Sequence, residues 1–467
     1  MPSKHILHLH HRHKHDVDMT QGNIFLHLIS FAFPLLIGNL FQQLYNTVDT
    51  WVIGNYVSTE TNTDAYSAVG AVAPIINMLI GFFNGLSSGA GVVISQYYGA
   101  KQEDNVSKAV HTAISMTLVL GIILTAVGLG IVPAMLNIIN MPDSAKDEAT
   151  VYLTVYFSGL LGLMLYNIGA GILRAVGDSK RPFYYLAACA VTNIVLDLVF
   201  VLVFKMDVDG VALATVISQA LSAVLVIITL LRTNSCVKLR LRALRFHWEF
   251  LKKIFSVGFP AAIQMAITSF SNIFVQSYIN ALGTDIMSGW TSYTKVDQFL
   301  FLPMQSIALA STTFVGQNLG CGQPKRAKKG VNTALIMALC ATTLFIIPIV
   351  AFAPQIAAFF NKKPEVVSNA AQLLRWLTPF YILCCFNQVY AASLRGAGNA
   401  KAPMVIMLCS FVLFRQIFLF AMSHICNELI PMAMSYPAGW LLCTTINTIY
   451  FHTVKLENTR LVDTQAK

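Results

Sequence analysis

The chain has 467 residues, of which 56% are hydrophobic and only 11% charged, and its mean hydropathy is +0.63. A soluble globular chain carries roughly a quarter of its residues as Asp, Glu, Lys and Arg, so a water-soluble enzyme or nucleic-acid-binding protein is excluded. The formal net charge of +10 therefore needs a topological explanation.

Residues 1–18 form a tail with six of the eleven His: His5, His8, His10, His11, His13 and His15. Clustered imidazoles can hold Zn or Ni. A disordered cytoplasmic tail, or an upstream extension of a chain whose functional start is Met19, explains them more simply. The tail lacks the apolar core of a signal peptide.

Twelve apolar stretches follow, taking about 20 residues as the length of one span. In a first half, 19–231, they cover 30–57, 66–92, 107–132, 150–173, 183–206 and 209–231. In a second half, 251–454, they cover 251–283, 287–314, 328–354, 366–392, 401–424 and 430–454. Residues 232–250 form a basic, partly amphipathic linker suited to anionic headgroups, in which Arg232, Lys238, Arg240, Arg242 and Arg245 alternate with Val237, Leu239, Leu241, Leu244 and Phe246. Residues 455–467 form a second tail.

The two halves repeat at a fixed offset of 221 residues. Leu173, Arg174, Gly177, Lys180 and Pro182 return as Leu394, Arg395, Gly398, Lys401 and Pro403, and Gln96, Gly99 and Gln102 return as Gln317, Gly320 and Gln323. Six spans per half is an even number, so both halves enter the membrane from the same side. The predicted fold is an all-α integral membrane protein: twelve transmembrane helices in two parallel six-helix lobes related by a pseudo-twofold axis along the membrane normal.

With both termini cytoplasmic, most of the 31 Lys and Arg lie inside, and the outer loops keep only Lys146, Lys205, Lys362, Lys363 and Arg375. This is the positive-inside pattern, and it accounts for the net charge without nucleic acid. The nine Cys form no CxxC pair and read as apolar packers, with no metal site.

Ionisable groups at membrane depth are costly and mark function. Asp49 shares a helical face with Gln42 and Asn46, a face predicted to point into protein. Asp197 lies one turn after Asn193, and in the next span Thr215, Ser218, Gln219 and Ser222 form a polar stripe. Asn77, Gly81, Asn84 and Ser88 form another in span 2. The first half thus holds two acids and no buried base. Two such carboxylates cannot both stay ionised cheaply, so one takes a proton or the pair coordinates a small cation, with Asn193 and Thr215 adding neutral oxygens. Capping or hydrogen bonding of neighbouring helices is the plainer role for either acid.

Several segments, in order, carry a family resemblance: FPLLIGNLFQQLYNTVDTWVIG (33–54), GLSSGAGVVISQYYGAK (85–101), LRAVGDSKRP (173–182), TNIVLDLVF (192–200), GVALATVISQ (210–219), GQNLGCGQ (316–323) and LRGAGNAKAP (394–403). From Met19 to about Lys455 the chain resembles multidrug and toxic compound extrusion (MATE) transporters, in the prokaryotic branch related to DinF. That resemblance implies a coupling-ion site, for H+ or Na+, at Asp49, Asn193, Asp197 and Thr215, and a bend at Pro34. It implies a cation-coupled antiporter of the inner membrane, exporting organic cations, drugs or toxic metabolites by alternating access. No cofactor, nucleic acid or enzymatic step is expected, and a monomer is.

The NorM branch has acids in spans 7 and 10, where this chain has only Gln264, Thr268, Ser271, Asn272, Thr378, Asn387 and Gln388. Span 8 carries Lys295 and Asp297, two residues apart and so unsuited to pairing with each other; Asp297 answers Arg415 of span 11 or a polar group across the cavity, with contact to substrate or cation as the alternative. The candidates for lining the substrate cavity are Gln42, Tyr45, Asn46, Asn77, Asn84, Tyr166, Gln264, Phe270, Tyr293 and Asp297, suited to a cationic aromatic cargo. A lipid-linked precursor flippase of the same superfamily is the alternative function, and Lys295 and Arg415 are the only basic residues within spans to serve its anionic cargo. At the offset of 221, Phe414 and Phe418 replace Asn193 and Asp197, which leaves the ion chemistry to the first half.

Overall fold

The structure is a computed structural model that describes residues 17–56, 62–138 and 143–462. The side chains of Asp49 and Phe270 lie outside the described residues, as do residues 1–16 of the His-rich tail.

The described residues are mostly helical, with no strand among them. The first half comprises α1 (Ile24–Tyr56), α2 (Asn62–Gly99), α3 (Glu103–Ile138), α4 (Asp143–Ser158), α5 (Leu160–Ala175), α6 (Lys180–Leu198) and α7 (Val208–Arg232). The second comprises α8 (Trp248–Asn280), α9 (Thr284–Gly320), α10 (Pro324–Ala351), α11 (Ala353–Phe360), α12 (Pro364–Leu377), α13 (Tyr381–Gly396), α14 (Lys401–Leu408), α15 (Arg415–Ile425), α16 (Leu429–Ala433) and α17 (Ser435–Thr453). Among the described residues eleven helices are long and apolar enough to cross a membrane, and a twelfth span forms if α4 and α5 count as one, bent by 45°. Hydropathy runs on through that bend. The bend falls at Gly159, where a Cβ would come within 2.5 Å of Val216 on α7, so glycine lets the bent span pack closely on that helix.

Val119, Ile122, Ile123, Val127, Leu129 and Ile131 are exposed along α3. An apolar face of this size is far beyond what a water-soluble monomer shows and is the surface a lipid chain covers. Small residues let the two lobes meet: a Cβ on Gly85 would sit 2.3 Å from the Ala262 nitrogen, and one on Gly89 2.5 Å from the Gly258 Cα. Backbone-to-backbone contact of this kind is how membrane helices associate without a hydrophobic drive between them.

The repeated motif has a local cause. At its first copy Gly177 has φ +88°, and the Asp178 amide donates back to the Leu173 carbonyl at 3.0 Å. At its second copy Gly398 has φ +98°, and the Asn399 amide donates to the Leu394 carbonyl at 2.9 Å. Each closes its helix in a left-handed turn that glycine adopts freely. Asp178 Oδ1 then accepts from the Lys180 and Arg181 amides, and Asn399 Oδ1 from Ala402, capping the next helix.

The linker is more firmly held than a strand lying on headgroups. Val237 and Leu239 are buried in the first lobe, the Arg240 amide donates to His111 Nε2 at 3.0 Å, and the His247 amide donates to Thr112 Oγ1 at 3.3 Å. Leu241, Phe246 and Trp248 remain exposed.

Candidate cation site and inter-lobe seam

Asn193 and Asp197 on α6 are both fully buried, and Thr215 on α7 is buried. Asn193 Nδ2 donates to Thr215 Oγ1 over a long 3.5 Å, and the Thr215 hydroxyl donates to the Val211 carbonyl at 3.1 Å. Asn193 Oδ1 is then left buried, with no hydrogen-bond partner among the described residues. A buried unsatisfied acceptor is costly unless a donor or cation arrives. Immediately beyond Asp197 the helix widens into a π-turn, Val199–Val203, a local feature frequent at functional sites.

The backbone brings Asp49 to within about one helical turn of that level. Gly38 of α1 touches Phe183 and Leu186 of α6, and the two helices run in the same direction. Eleven residues beyond Gly38 is Asp49, and eleven beyond Leu186 is Asp197. At 1.5 Å per residue the Leu186 contact sets the two level, and the Phe183 contact sets them about 4.5 Å apart.

The second lobe differs at the equivalent place. Arg415 on α15 is buried, its Nη2 donates to Ser271 Oγ at 2.7 Å and Asn272 Oδ1 at 2.8 Å, and its guanidinium lies over the Tyr436 ring. No ion pair joins Arg415 to Asp297, or Asp297 to Lys295, among the described residues. The expected answer of Arg415 to Asp297 is replaced by neutral oxygens and a ring.

The cavity candidates divide. Asn77 and Asn84 are exposed on α2, flanking Gly81, whose Cβ position faces Met265 of α8; this polar face looks across the lobes. Gln42 is half-buried, Asn46 exposed and Tyr45 buried on α1, and Asp297 is half-buried on α9. Three candidates are instead committed to holding helices together. Tyr166 donates its hydroxyl to the Pro182 carbonyl at 3.2 Å. Gln264 is buried with Nε2 on Met407 Sδ at 2.8 Å. Tyr293 is buried with its hydroxyl 2.9 Å from that of Tyr381. Phe270 lies outside the described residues in its side chain. Pro34 lies within α1 without ending it.

Sequence reasoning missed the polar seam between α1 and α9, where Asn39 Nδ2 donates to Ser306 Oγ at 3.4 Å and Gln43 Nε2 to Gln298 Oε1 at 2.5 Å. Asn39, Gln43 and Asn46 follow helical spacing, a signal that was there to be read beside the Gln42 face.

A two-lobed bundle of long apolar helices, with polar groups buried inside both lobes and small residues knitting the lobes together, defines a multi-pass membrane transporter. The MatE family model matches residues 34–199 and 260–420, and the chain belongs to the MATE family of transporters. Over 442 residues it is 28% identical to the probable multidrug resistance protein YoeA of Bacillus subtilis, covering 92% of this chain and 95% of that one. Over 401 residues it is 27% identical to YpnP of the same organism, covering 86% and 89%. A FAD transporter of Shewanella oneidensis is 24% identical over 402 residues, covering 83% and 85%. The fold matches an outward-facing MATE transporter of the MOP superfamily with TM-score 0.87 and 23% identity, covering 94% of this chain and 97% of that one.

Proposed function

We propose that this multi-pass transporter is a cation-coupled antiporter of the inner membrane, with both termini cytoplasmic, that exports organic cations, drugs or toxic metabolites by alternating access. Asp49, Asn193, Asp197 and Thr215 hold the coupling ion, H+ or Na+, and the polar faces of α1, α2 and α9 receive the substrate. The observation that carries this reading is the Asn193 carbonyl oxygen, buried one helical turn before Asp197 with no donor among the described residues. A buried acceptor oxygen at this depth favours a proton donor or small cation as its partner.

Binding of the ion shifts the balance between outward- and inward-open states by its difference in affinity for the two. Substrate and ion then compete for one lobe's conformation, which couples their opposed movements. The protein works as a monomer, without a cofactor. A lipid-linked precursor flippase would need several free basic groups in the cavity, and the Arg415 guanidinium is already engaged by Ser271 and Asn272.

The test is transport in proteoliposomes under independently imposed pH and Na+ gradients, with cationic dyes as cargo. Efflux driven by one of the two gradients is expected, and its loss in Asp49→Asn and Asp197→Asn at unchanged folding. Full gradient-driven efflux in purified Asp49→Asn would overturn the ion site.

A further inference from the structure

The face of the molecule that carries both chain ends is closed by a crossed pair of glutamines. Gln317 Nε2 on α9 donates to the Ala175 carbonyl at the end of α5, and Gln96 Nε2 on α2 donates to the Gly396 carbonyl at the end of α13, each at 2.9 Å. The two bonds are copies at the offset of 221. Between them α2 and α9 touch through glycine: a Cβ on Gly99 would sit 2.0 Å from the Gln317 carbonyl oxygen, and one on Gly320 2.0 Å from that of Gln96.

Each glutamine also holds a chain end that arrives from the opposite lobe. The Met19 amide donates to Gln317 Oε1 at 3.0 Å, and the Leu461 amide to Gln96 Oε1 at 2.7 Å. Met19, which precedes the first lobe, is buried in the core of the second. Leu461 and Val462, which follow the second lobe, pack into the core of the first. Asn318 and Arg326 add donors to the Met19 carbonyl at 3.3 and 3.2 Å, and Arg326 bonds the Gly22 carbonyl at 2.9 Å.

The ends run through slots that only glycine leaves open. A Cβ on Gly177 would meet the Val17 carbonyl oxygen at 2.3 Å, and one on Gly398 would meet that of Thr459 at 2.5 Å. The left-handed turns of the repeated motif therefore serve twice, ending a helix and seating a strap.

We propose that residues 17–22 and 459–462 are crosswise straps that hold this face shut, and that both must leave Gln317 and Gln96 before the lobes part here. The proposal rests on the alternating-access reading for its role in transport. Separating the lobes breaks the Gln317–Ala175 and Gln96–Gly396 bonds, and the straps add to that cost because each spans the seam with a buried apolar anchor. Release of one strap alone leaves the other closing the same seam.

The experiment is hydrogen–deuterium exchange on the full chain in lipid nanodiscs, read at residues 97–102 and 318–323. Met19→Ser with Val462→Ser is expected to speed exchange there roughly tenfold or more, the effect of a lost buried apolar anchor, with each single change giving less than the pair. Exchange in the α2–α8 contact around Gly85 and Ala262 should stay as in the parent. Should the double variant exchange fast throughout, Gln96→Ala with Gln317→Ala, which leaves the anchors in place, decides the matter: faster exchange confined to the seam supports the straps. Unchanged exchange at the seam in both pairs overturns them. A seam that responds to the strap variants but never to substrate or an imposed ion gradient would instead count against alternating access, so the two failures are distinguishable.

Discussion

The Arg415 guanidinium lies 4.7 Å from the centroid of the Tyr436 ring, and Tyr436 stands at the offset of 221 from Thr215. Where the first lobe leaves an oxygen acceptor open, the second holds a fixed cation on an aromatic face. The two lobes share a frame and differ in charge at the matching depth.

That arrangement predicts an inverted order of substitution. Arg415 is buried without a carboxylate among the described residues, and its Nε has no partner, so its stabilising contacts are the fork to Ser271 and Asn272 and the stack on Tyr436. Lys keeps the desolvated charge but loses the planar fork and the stack. Met keeps the packing and removes the charge, and Gln416 still donates to Ser271 Oγ at 3.1 Å. Arg415→Lys is expected to lose about 2 kcal/mol and Arg415→Met to stay within about 1 kcal/mol of the parent, as measured by thermal unfolding in detergent. A Lys variant more stable than the Met variant would contradict this account.

The open acceptor at Asn193 predicts graded effects on ion dependence. Asn193→Ala removes a buried ligand oxygen and is expected to raise the ion concentration for half-maximal efflux about tenfold, equivalent to about 1.4 kcal/mol. Thr215→Ala should do less, because the Thr215 hydroxyl proton already goes to the Val211 carbonyl. Asp197→Asn should abolish gradient dependence, since the neutral amide cannot balance a cation. Equal effects of the Asn193 and Thr215 changes, in the same proteoliposome titration, would show that the unsatisfied oxygen is not the ligand.

Much of this fold was legible in the sequence because its causes are local or periodic. Apolar runs gave the spans, and the repeat of Leu173–Pro182 at Leu394–Pro403 reflects a turn and a cap that short sequences encode. The parts that were not legible depend on which surfaces meet. Gln96 and Gln317 were visible as a repeated pair, but their partners are the backbone carbonyls of Gly396 and Ala175, to which any residue could contribute. Gln264 and Tyr293 read as cavity polar groups because nothing in their own helices shows that Met407 and Tyr381 lie opposite. The bend at Gly159 sits where Val216, two helices away, leaves no room for a side chain. Asn193 and Asp197 could be grouped from spacing alone because they share one helix face.

The glycine contact between α2 and α8 predicts a strict size limit. A methyl at Gly85 has no space before the backbone of Ala262, and one at Gly89 meets the backbone of Gly258, so neither can be relieved by turning a side chain. Gly85→Ala and Gly89→Ala are each expected to destabilise the lobe-to-lobe packing by about 1–3 kcal/mol, the usual cost of overpacking. Gly130 has nothing within 4 Å of its Cβ position, and Gly130→Ala is the control, expected to be neutral or slightly stabilising. Melting temperatures of the three variants in one detergent check the order, and a neutral Gly85→Ala would refute the close approach.

The linker contact at His111 predicts where a protease first enters. His111 Nδ1 lies 2.7 Å from the Ser107 carbonyl and Nε2 accepts the Arg240 amide, so the ring must carry its proton on Nδ1 and be neutral to make both bonds. His111→Phe fills similar space but leaves the Arg240 amide without its acceptor, which costs about 1–2 kcal/mol and raises the open population of the linker about tenfold. Arg240, Arg242 and Arg245 are exposed trypsin sites on that segment. Limited trypsinolysis of the purified protein should therefore cut the His111→Phe variant after these residues about tenfold faster than the parent, by the same free-energy difference. His111→Gln, which restores an acceptor, should recover part of the protection; equal cleavage rates in all three proteins would show that the His111 bond does not hold the linker.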